Sequence, residues 1–126
     1  MYTYHSRSRR ILDYLSRSRP TAVAQLRSTD EFPGVCGTLM LCQYGSSCFA
    51  VVSAGGLSSS TEALRLEIDG ADIHMPTVLP DGEDIWCAFL SSGLDACAVL
   101  NRDVRLIIGD GTAAEGVIHK NVGFYG

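Results

Sequence analysis

Two carboxylates and an imidazole lie close together near the middle of the chain. Glu67 and Asp69 are two residues apart in a segment that alternates like a strand, and His74 follows after a short turn. Because residues i and i+2 of a strand point to the same side, the two carboxylates would share one face. With the imidazole and water, they could hold Zn²⁺ or Mn²⁺. The simpler interpretation, which we prefer, is a solvated strand face beside a surface histidine, so no metal is expected.

Cysteines offer a second kind of chemistry. The chain has five of them, with no CxxC pair and no zinc-finger spacing, so a structural zinc site is not indicated, and the odd number argues against a complete disulfide framework. Cys42 and Cys48 are equally distant from Gly45, where a hairpin is expected, and could face each other as a redox pair. Because such a bridge is geometrically demanding, we interpret both residues as buried structural thiols.

Short strands are the elements that would position these side chains. In Ala63–Asp69, aliphatic residues alternate with charged ones, which gives one apolar and one charged face. Similar segments predict five further strands and a weaker last one: Thr21–Arg27, Val35–Gln43, Cys48–Ala54, Ile85–Ser91, Asp103–Ile108 and Gly116–Val122. Leu94–Leu100 could add one helical turn. Because Gly, Pro, Ser and Asp clusters separate these segments, the pattern predicts an all-β antiparallel sandwich or barrel.

The beginning of the chain has a different pattern. Between Arg7 and Pro20, apolar residues recur at helical spacing, namely Ile11, Leu12 and Leu15. A short amphipathic helix is therefore expected, and Pro20 would end it. The sequence predicts a basic N-terminal helix or arm, residues 1–19, followed by one β-domain, residues 20–126.

Charge is distributed unevenly between these two parts. Residues 1–27 hold six arginines and one acid, whereas residues 28–126 hold four basic and thirteen acidic residues. The arginines alternate with serine and aliphatic residues, and no aromatic platform follows, so nucleic-acid binding is not expected. The arm would instead dock on the acidic body of its own chain or of a second chain.

Length and hydropathy exclude some classes of protein. With 126 residues, 46% of them apolar, the chain can bury the core of one domain. No stretch approaches 18 uninterrupted apolar residues, and the N-terminal residues lack the apolar run of a secretory signal. A cytoplasmic protein without membrane contact is therefore expected.

Four blocks of the chain, taken in order, carry a family resemblance. They are Ala22–Arg27 with Phe32–Leu39, Ala50–Val52 with Gly56-Leu57, Trp86–Leu90, and Val99–Val104. They resemble the patterns AVARIRGS…YPGIRGTVxFYQ, VVAEVxGLP, WxAFLT and VIGRTV of bacterial copper/zinc superoxide dismutase-like proteins. The blocks span about 80 residues. The resemblance implies a Greek-key β-barrel.

The same resemblance implies that the metal chemistry of the family is missing. The family's FHxHE strand motif supplies two copper ligands, whereas this chain reads Leu66-Glu67-Ile68-Asp69-Gly70. Only Ala71–Ile73 stands where the family has its zinc-binding loop, and the position of the last copper histidine falls on Ile107. A redox copper site needs several imidazoles, and the chain has three histidines, one of them, His5, in the arm. Dismutase activity is therefore not expected.

The predicted hairpin of Val35–Gln43 and Cys48–Ala54 is apolar on both faces. Leu39 and Leu41 alternate with Met40 and Cys42, so neither parity is polar. A sheet with one face in water would show polar alternation, so we expect this one to be covered twice. The core would provide one cover, and the N-terminal helix or a second subunit the other. The sequence therefore predicts a homodimer or an exchanged arm.

The function predicted from these observations is non-enzymatic. The chain is expected to be a superoxide dismutase-like barrel without a copper site, serving as a binding or structural module. It would act through homo-oligomerisation or through a related full-length dismutase-like protein. The alternative is a divalent-metal-binding protein that uses Glu67, Asp69 and His74. No catalytic residue and no cofactor are predicted.

Overall fold

The computed structural model describes residues 21–56, 64–73, 75, 79–81, 84–91 and 93–121, and within them the chain forms ten strands and no helix. The strands are β1 Ala22–Ser28, β2 Cys36–Tyr44, β3 Ser47–Gly55, β4 Leu64–Ile68, β5 Ala71–Ile73, β6 Leu79–Asp81, β7 Asp84–Ser91, β8 Asp103–Ile108, β9 Gly111–Val117 and β10 His119–Lys120. A helix able to cross a membrane is absent from these residues. The predicted arm, residues 1–19, lies outside them.

Every strand pair in the sheet is antiparallel. The order is β5-β4-β8-β9-β1-β2-β3-β7-β6, and β10 pairs with β1. After β3 the chain crosses to the other half of the sheet, where β4 pairs with β8, and it returns when β7 pairs with β3. This crossover within an antiparallel sheet is the Greek-key arrangement. The predicted all-β antiparallel fold is confirmed.

Alternation along the strands builds the core on the inner face of the curled sheet. Ala22, Ala24 and Leu26 of β1 are buried, and the residues between them are not. The largest side chains with no exposed surface include Leu39, Leu41, Leu66, Leu106 and Ile118. Fully burying each such aliphatic side chain stabilises the fold by about 1.5–3 kcal/mol, so these residues are the main source of stability.

Six predicted strands match β1, β2, β3, β4, β7 and β8 closely. Two other predicted segments, the last strand and the helical turn, are corrected in part. The last strand was expected at Gly116–Val122, but β9 begins earlier, at Gly111. Its core-facing residues are the small Ala113 and Ala114, at an irregularity in the pairing with β8, so it lacks a strong apolar signal. Leu94–Leu100 forms successive turns rather than a helical turn, with Ala98 N donating to Asp95 O at 3.1 Å.

Candidate functional site

The outward-facing pair on β4 consists of Arg65 and Glu67. Leu66 and Ile68 are buried in the core, so the residues between them point away from it. Asp69 lies beyond the strand, in the turn to β5. Asp69 is therefore not a strand residue as predicted, but it still lines one surface pocket with Glu67 and Arg105, so the two carboxylates lie on the same side of the sheet.

Asp69 lies outside the strand because of the chemistry of the turn. Asp69 has a φ of 53° and Gly70 a φ of 82°, and two consecutive positive φ values are what a type I′ hairpin turn requires. Asp-Gly is a favoured pair for that turn. The Asp69 N–H also donates to Asp103 O at 2.8 Å, which anchors the turn to the start of β8. Strand pairing between β4 and β5 thus ends at Ile68.

A row of charged side chains crosses the outer face of five strands. Directly opposed residues in antiparallel strands point to the same side. The strand register places five charged residues in one row. From β5 through β4, β8 and β9 to β1, they are Asp72, Glu67, Arg105, Glu115 and Arg27. Arg105 stands between two glutamates, and Glu115 between two arginines. We call these five residues the charged row.

Asp72, at the end of the charged row, is paired outside it. Arg65 Nη1 donates to its Oδ1 at 3.0 Å and to its Oδ2 at 3.2 Å. The two side chains are 47% and 64% exposed, so this ion pair stabilises the fold by no more than about 1 kcal/mol. The charged row and this pair give the sheet a solvated outer face on this side.

The candidate metal ligands are not assembled into a site by the described residues. Glu67 lies opposite Arg105, and Asp69 Oδ2 is 3.9 Å from Arg102 Nε, so each carboxylate has a guanidinium near it. His74 lies outside the described residues. Among the residues that are described, no group of three or more His, Cys, Asp or Glu could hold a metal ion.

Copper does not fit the side chains found at the outer face of β4 and β8. Ile107 lies opposite Arg65 and is 6% exposed, outside the main core cluster. The resemblance placed its last copper histidine at Ile107, next to the outward pair of β4. Arginine and isoleucine offer no metal ligand, and the nearby carboxylates of Glu67, Asp69 and Asp103 do not form a group that could hold a metal ion. Arg65 was not among the predicted site residues, although the alternation of Leu64, Leu66 and Ile68 places it on the outer face.

A second outer surface, on β2, β3 and β7, is apolar. The register sets Cys42 opposite Phe49 and Phe49 opposite Leu90, and it sets Met40 opposite Val51. We call these five residues the outer patch. Val51 is 0% and Cys42 is 4% exposed, in a buried cluster separate from the core, whereas Leu90 is 63% exposed. The prediction that the hairpin is apolar on both faces is confirmed.

Cys42 and Cys48 are on opposite faces of the hairpin. Cys42 pairs with Phe49, and Cys48 pairs with Gln43. The connection is the two-residue turn Gly45-Ser46, so the hairpin is symmetric about the bond between these residues and not about Gly45. The predicted facing arrangement is wrong by one residue. Cys48 belongs to the core and Cys42 to the outer patch, and neither is in a disulfide.

Burial raises the pKa of both thiols. The pKa of Cys48 is raised from 9.0 to about 11, first by desolvation and then by repulsion from Cys42 and Asp95. The pKa of Cys42 is raised as well, chiefly by desolvation. A thiol with a raised pKa forms little thiolate near neutral pH, and the thiolate is the nucleophile and metal ligand. Both residues are consistent with the structural role predicted for them.

Alkaline pH should destabilise the fold in part through Cys48. Its folded pKa, about 11, lies above the ordinary value of 9.0, so the folded state retains the proton more tightly. That contribution is complete below pH 9 and is lost as the pH rises toward 11. We expect urea titrations across this range to show a shallower fall in the free energy of unfolding for Cys48→Ala than for the unaltered protein. The exposed Cys36→Ala is the control, and equal slopes for both variants would contradict the assignment.

Comparison with known proteins is informative only at the level of three-dimensional structure. No protein family model matches the chain, and no curated protein matches it. A solved structure that resembles it is a mutant of superoxide dismutase 5 from Candida albicans, with a TM-score of 0.61 over 85% of this chain and 96% of that one. The two sequences are 12% identical, so the likeness concerns the fold. The described part of the chain therefore has the superoxide dismutase-like β-barrel fold.

Proposed function

We propose that this chain is a non-enzymatic superoxide dismutase-like domain that acts as a binding or structural module by associating with a second copy of itself. The observation that carries the proposal is the outer patch, in which a large apolar side chain, Leu90, is 63% exposed beside Phe49. The open part of the patch, Leu90 with the half-buried Phe49, would form the interface. The face of a sheet is also well suited to pack against an identical face.

The non-enzymatic part of the proposal is supported by the side chains at β4 and β8. Redox cycling of copper requires ligands that serve both oxidation states, chiefly imidazoles. The adjacent outward positions carry Arg65, Glu67 and Ile107, and the charged row places Arg105 beside Glu67. A cationic guanidinium next to the Glu67 carboxylate opposes the binding of a second cation there.

Two-fold symmetry favours association of two identical copies over binding to a different protein. In a two-fold dimer both copies use the same patch, so Leu90 and Phe49 of each copy would lie at the interface and the apolar contact would be made twice. Burying two leucine side chains in this way contributes roughly 3 kcal/mol or more. A related full-length dismutase-like protein is the other partner that the patch could accept, and it would be detected as a heteromeric species.

Leu90→Lys should weaken the association. A lysine at the centre of an apolar contact must be desolvated, so we expect the dissociation constant to rise by about 30-fold, which is ~2 kcal/mol. Sedimentation equilibrium at micromolar concentration should give twice the 13.5 kDa chain mass for the unaltered protein. Val117→Lys is the matched control, because Val117 is also exposed, at 36%, but lies on β9.

Two outcomes would contradict the proposal. A single 13.5 kDa species for the unaltered protein at tens of micromolar, or equal weakening by Leu90→Lys and Val117→Lys, would remove the case for association through the outer patch. Stoichiometric copper, zinc or manganese in protein purified without chelators would contradict the non-enzymatic assignment. In that case the site of Glu67, Asp69 and His74 would have to be reconsidered.

A further inference from the structure

The central part of the outer patch is buried, although it faces away from the core. Val51 is 0% and Cys42 is 4% exposed, and both lie in a cluster separate from the core. The face of a sheet leaves the ends of its side chains in water unless a second layer lies above it. Leu90 shows this directly, because it continues the row of Cys42 and Phe49 onto β7 and is 63% exposed. A second layer over β2 and β3, a cover that ends before β7, would account for both the burial of Val51 and the exposure of Leu90.

We propose that residues 1–20 of the same chain are this cover. The segment joins the sheet at Thr21, whose N–H donates to Leu41 O at 2.7 Å and whose Oγ1 accepts from Gln43 N at 3.1 Å. By the register of β1 and β2, Thr21 lies opposite Cys42 on the neighbouring strand. The segment thus starts at the edge of the surface that it would cover.

The size of the predicted helix matches the covered area. A helix with its side chains is about 10–12 Å across, and neighbouring strands are about 4.8 Å apart. One helix over β2 and β3 therefore covers two strands and leaves β7 exposed, as the burial of Val51 and the exposure of Leu90 require. The thirteen residues from Arg7 to Arg19 would form a helix about 20 Å long. That is sufficient to span both rows of the outer patch.

Sequence and charge favour the same docking. Ile11, Leu12 and Leu15 form the apolar stripe that would contact the patch. Residues 1–20 hold five arginines and one acid, whereas residues 21–126 hold five basic and thirteen acidic residues. The arm and the body therefore attract each other, which favours an intramolecular contact at ordinary ionic strength.

Another terminal segment is less well placed to be the cover. Residues 122–126 follow Asn121, whose N–H donates to Thr21 O at 3.0 Å on the side of β1 away from β2. To reach β3, this segment would have to cross β1 and β2, about 14 Å, which is almost the full extension of five residues. Residues 1–20 start closer and are longer. The inference does not depend on association between two copies.

Alkylation of Cys42 tests the cover in the full-length protein. We compare Leu15→Asp, which disrupts the apolar stripe, with Ser16→Asp, which makes the same charge change beside it. Iodoacetamide labelling at pH 8, followed by peptide mass spectrometry, should show Cys42 reacting at least about tenfold faster in Leu15→Asp because the cover opens locally. Cys48 lies on the core side and should stay protected in every protein, which reports that the barrel remains folded.

A second measurement needs no destabilised variant. A benzophenone amino acid replaces Leu15, and the protein is irradiated as a mixture of ¹⁴N and ¹⁵N chains. Crosslinks from position 15 to residues 40–51 of the same chain are expected. Crosslinks to other regions, crosslinks only between differently labelled chains, or Cys42 alkylation as fast as that of exposed Cys36 in the unaltered protein would each overturn the proposal.

Discussion

Val51→Asp should abolish most of the stability of the domain. Val51 has no exposed surface and lies in an apolar cluster with Cys42, Met40 and Phe49. A carboxylate there would be desolvated without a partner, or would have to take up a proton, and either costs several kcal/mol. Since a domain of this size is stable by about 5–15 kcal/mol, we expect a loss of at least about 4 kcal/mol. Urea titration followed by circular dichroism measures it.

Ser53→Asp is the matched control for this change. Ser53 points to the same side of β3 as Val51, two residues further along, and is only half-buried. The same carboxylate there keeps contact with water, so we expect a loss below about 1 kcal/mol. If the two variants were equally stable, the burial of Val51 on the outer face would be contradicted. The cover over β2 and β3 would then lose its main support.

Gly37→Val should have the second largest effect, on the opposite face of the same hairpin. Gly37 lies on β2 between Leu26 of β1 and Ala54 of β3. A Cβ at this position would press on the Ser53 carbonyl oxygen and lie 3.0 Å from Ala54 Cβ. Because a backbone carbonyl cannot move aside as a flexible side chain can, the sheet itself would have to shift. We expect a loss of about 3 kcal/mol or more, measured by thermal and urea unfolding.

Thr38→Val is the control for Gly37→Val, because it shows whether β2 tolerates a valine where no backbone clash is expected. Thr38 is the next residue along β2 and points to the other side, where it is half-buried. Valine has nearly the same shape as threonine and suits a strand, so we expect its stability to change by less than about 1 kcal/mol. A Gly37→Val protein as stable as Thr38→Val would contradict the close approach of β2 and β3.

The fold was predictable where alternation was strong. Apolar and charged residues alternate along β4 and along the first four residues of β8, and large side chains such as Leu66 and Leu106 mark the inner face. The three-residue strands β5 and β6 were not predicted, because three residues cannot display a period of two. The start of β9 was missed for a related reason, since Ala113 and Ala114 are too small to stand out.

The candidate site was predictable only in part. Glu67 was placed correctly on an outward strand face. Asp69 was placed on the same strand but belongs to the turn, because the turn requires a positive φ, and it still lies beside Glu67. The charged row depends on register across five strands, which combines residues as distant as Arg27 and Glu115. No local pattern contains that information. The faces on which the two cysteines lie also depend on register. The hairpin is centred between Gly45 and Ser46 rather than on Gly45, so Cys48 pairs with Gln43 and lies on the face opposite to Cys42.

The two ends of the strand order limit what kind of assembly the protein can form. Among the strands that the structure describes, β5 and β6 have neighbours on one side only, and each is three residues long. Pro80 in β6 has no N–H to offer an added strand, and β5 contains a charged residue, Asp72. Strand-to-strand growth, which leads to open-ended fibrils, therefore finds little template at either end. The association proposed above would instead use the faces of the sheets, where a two-fold contact closes on itself and stops.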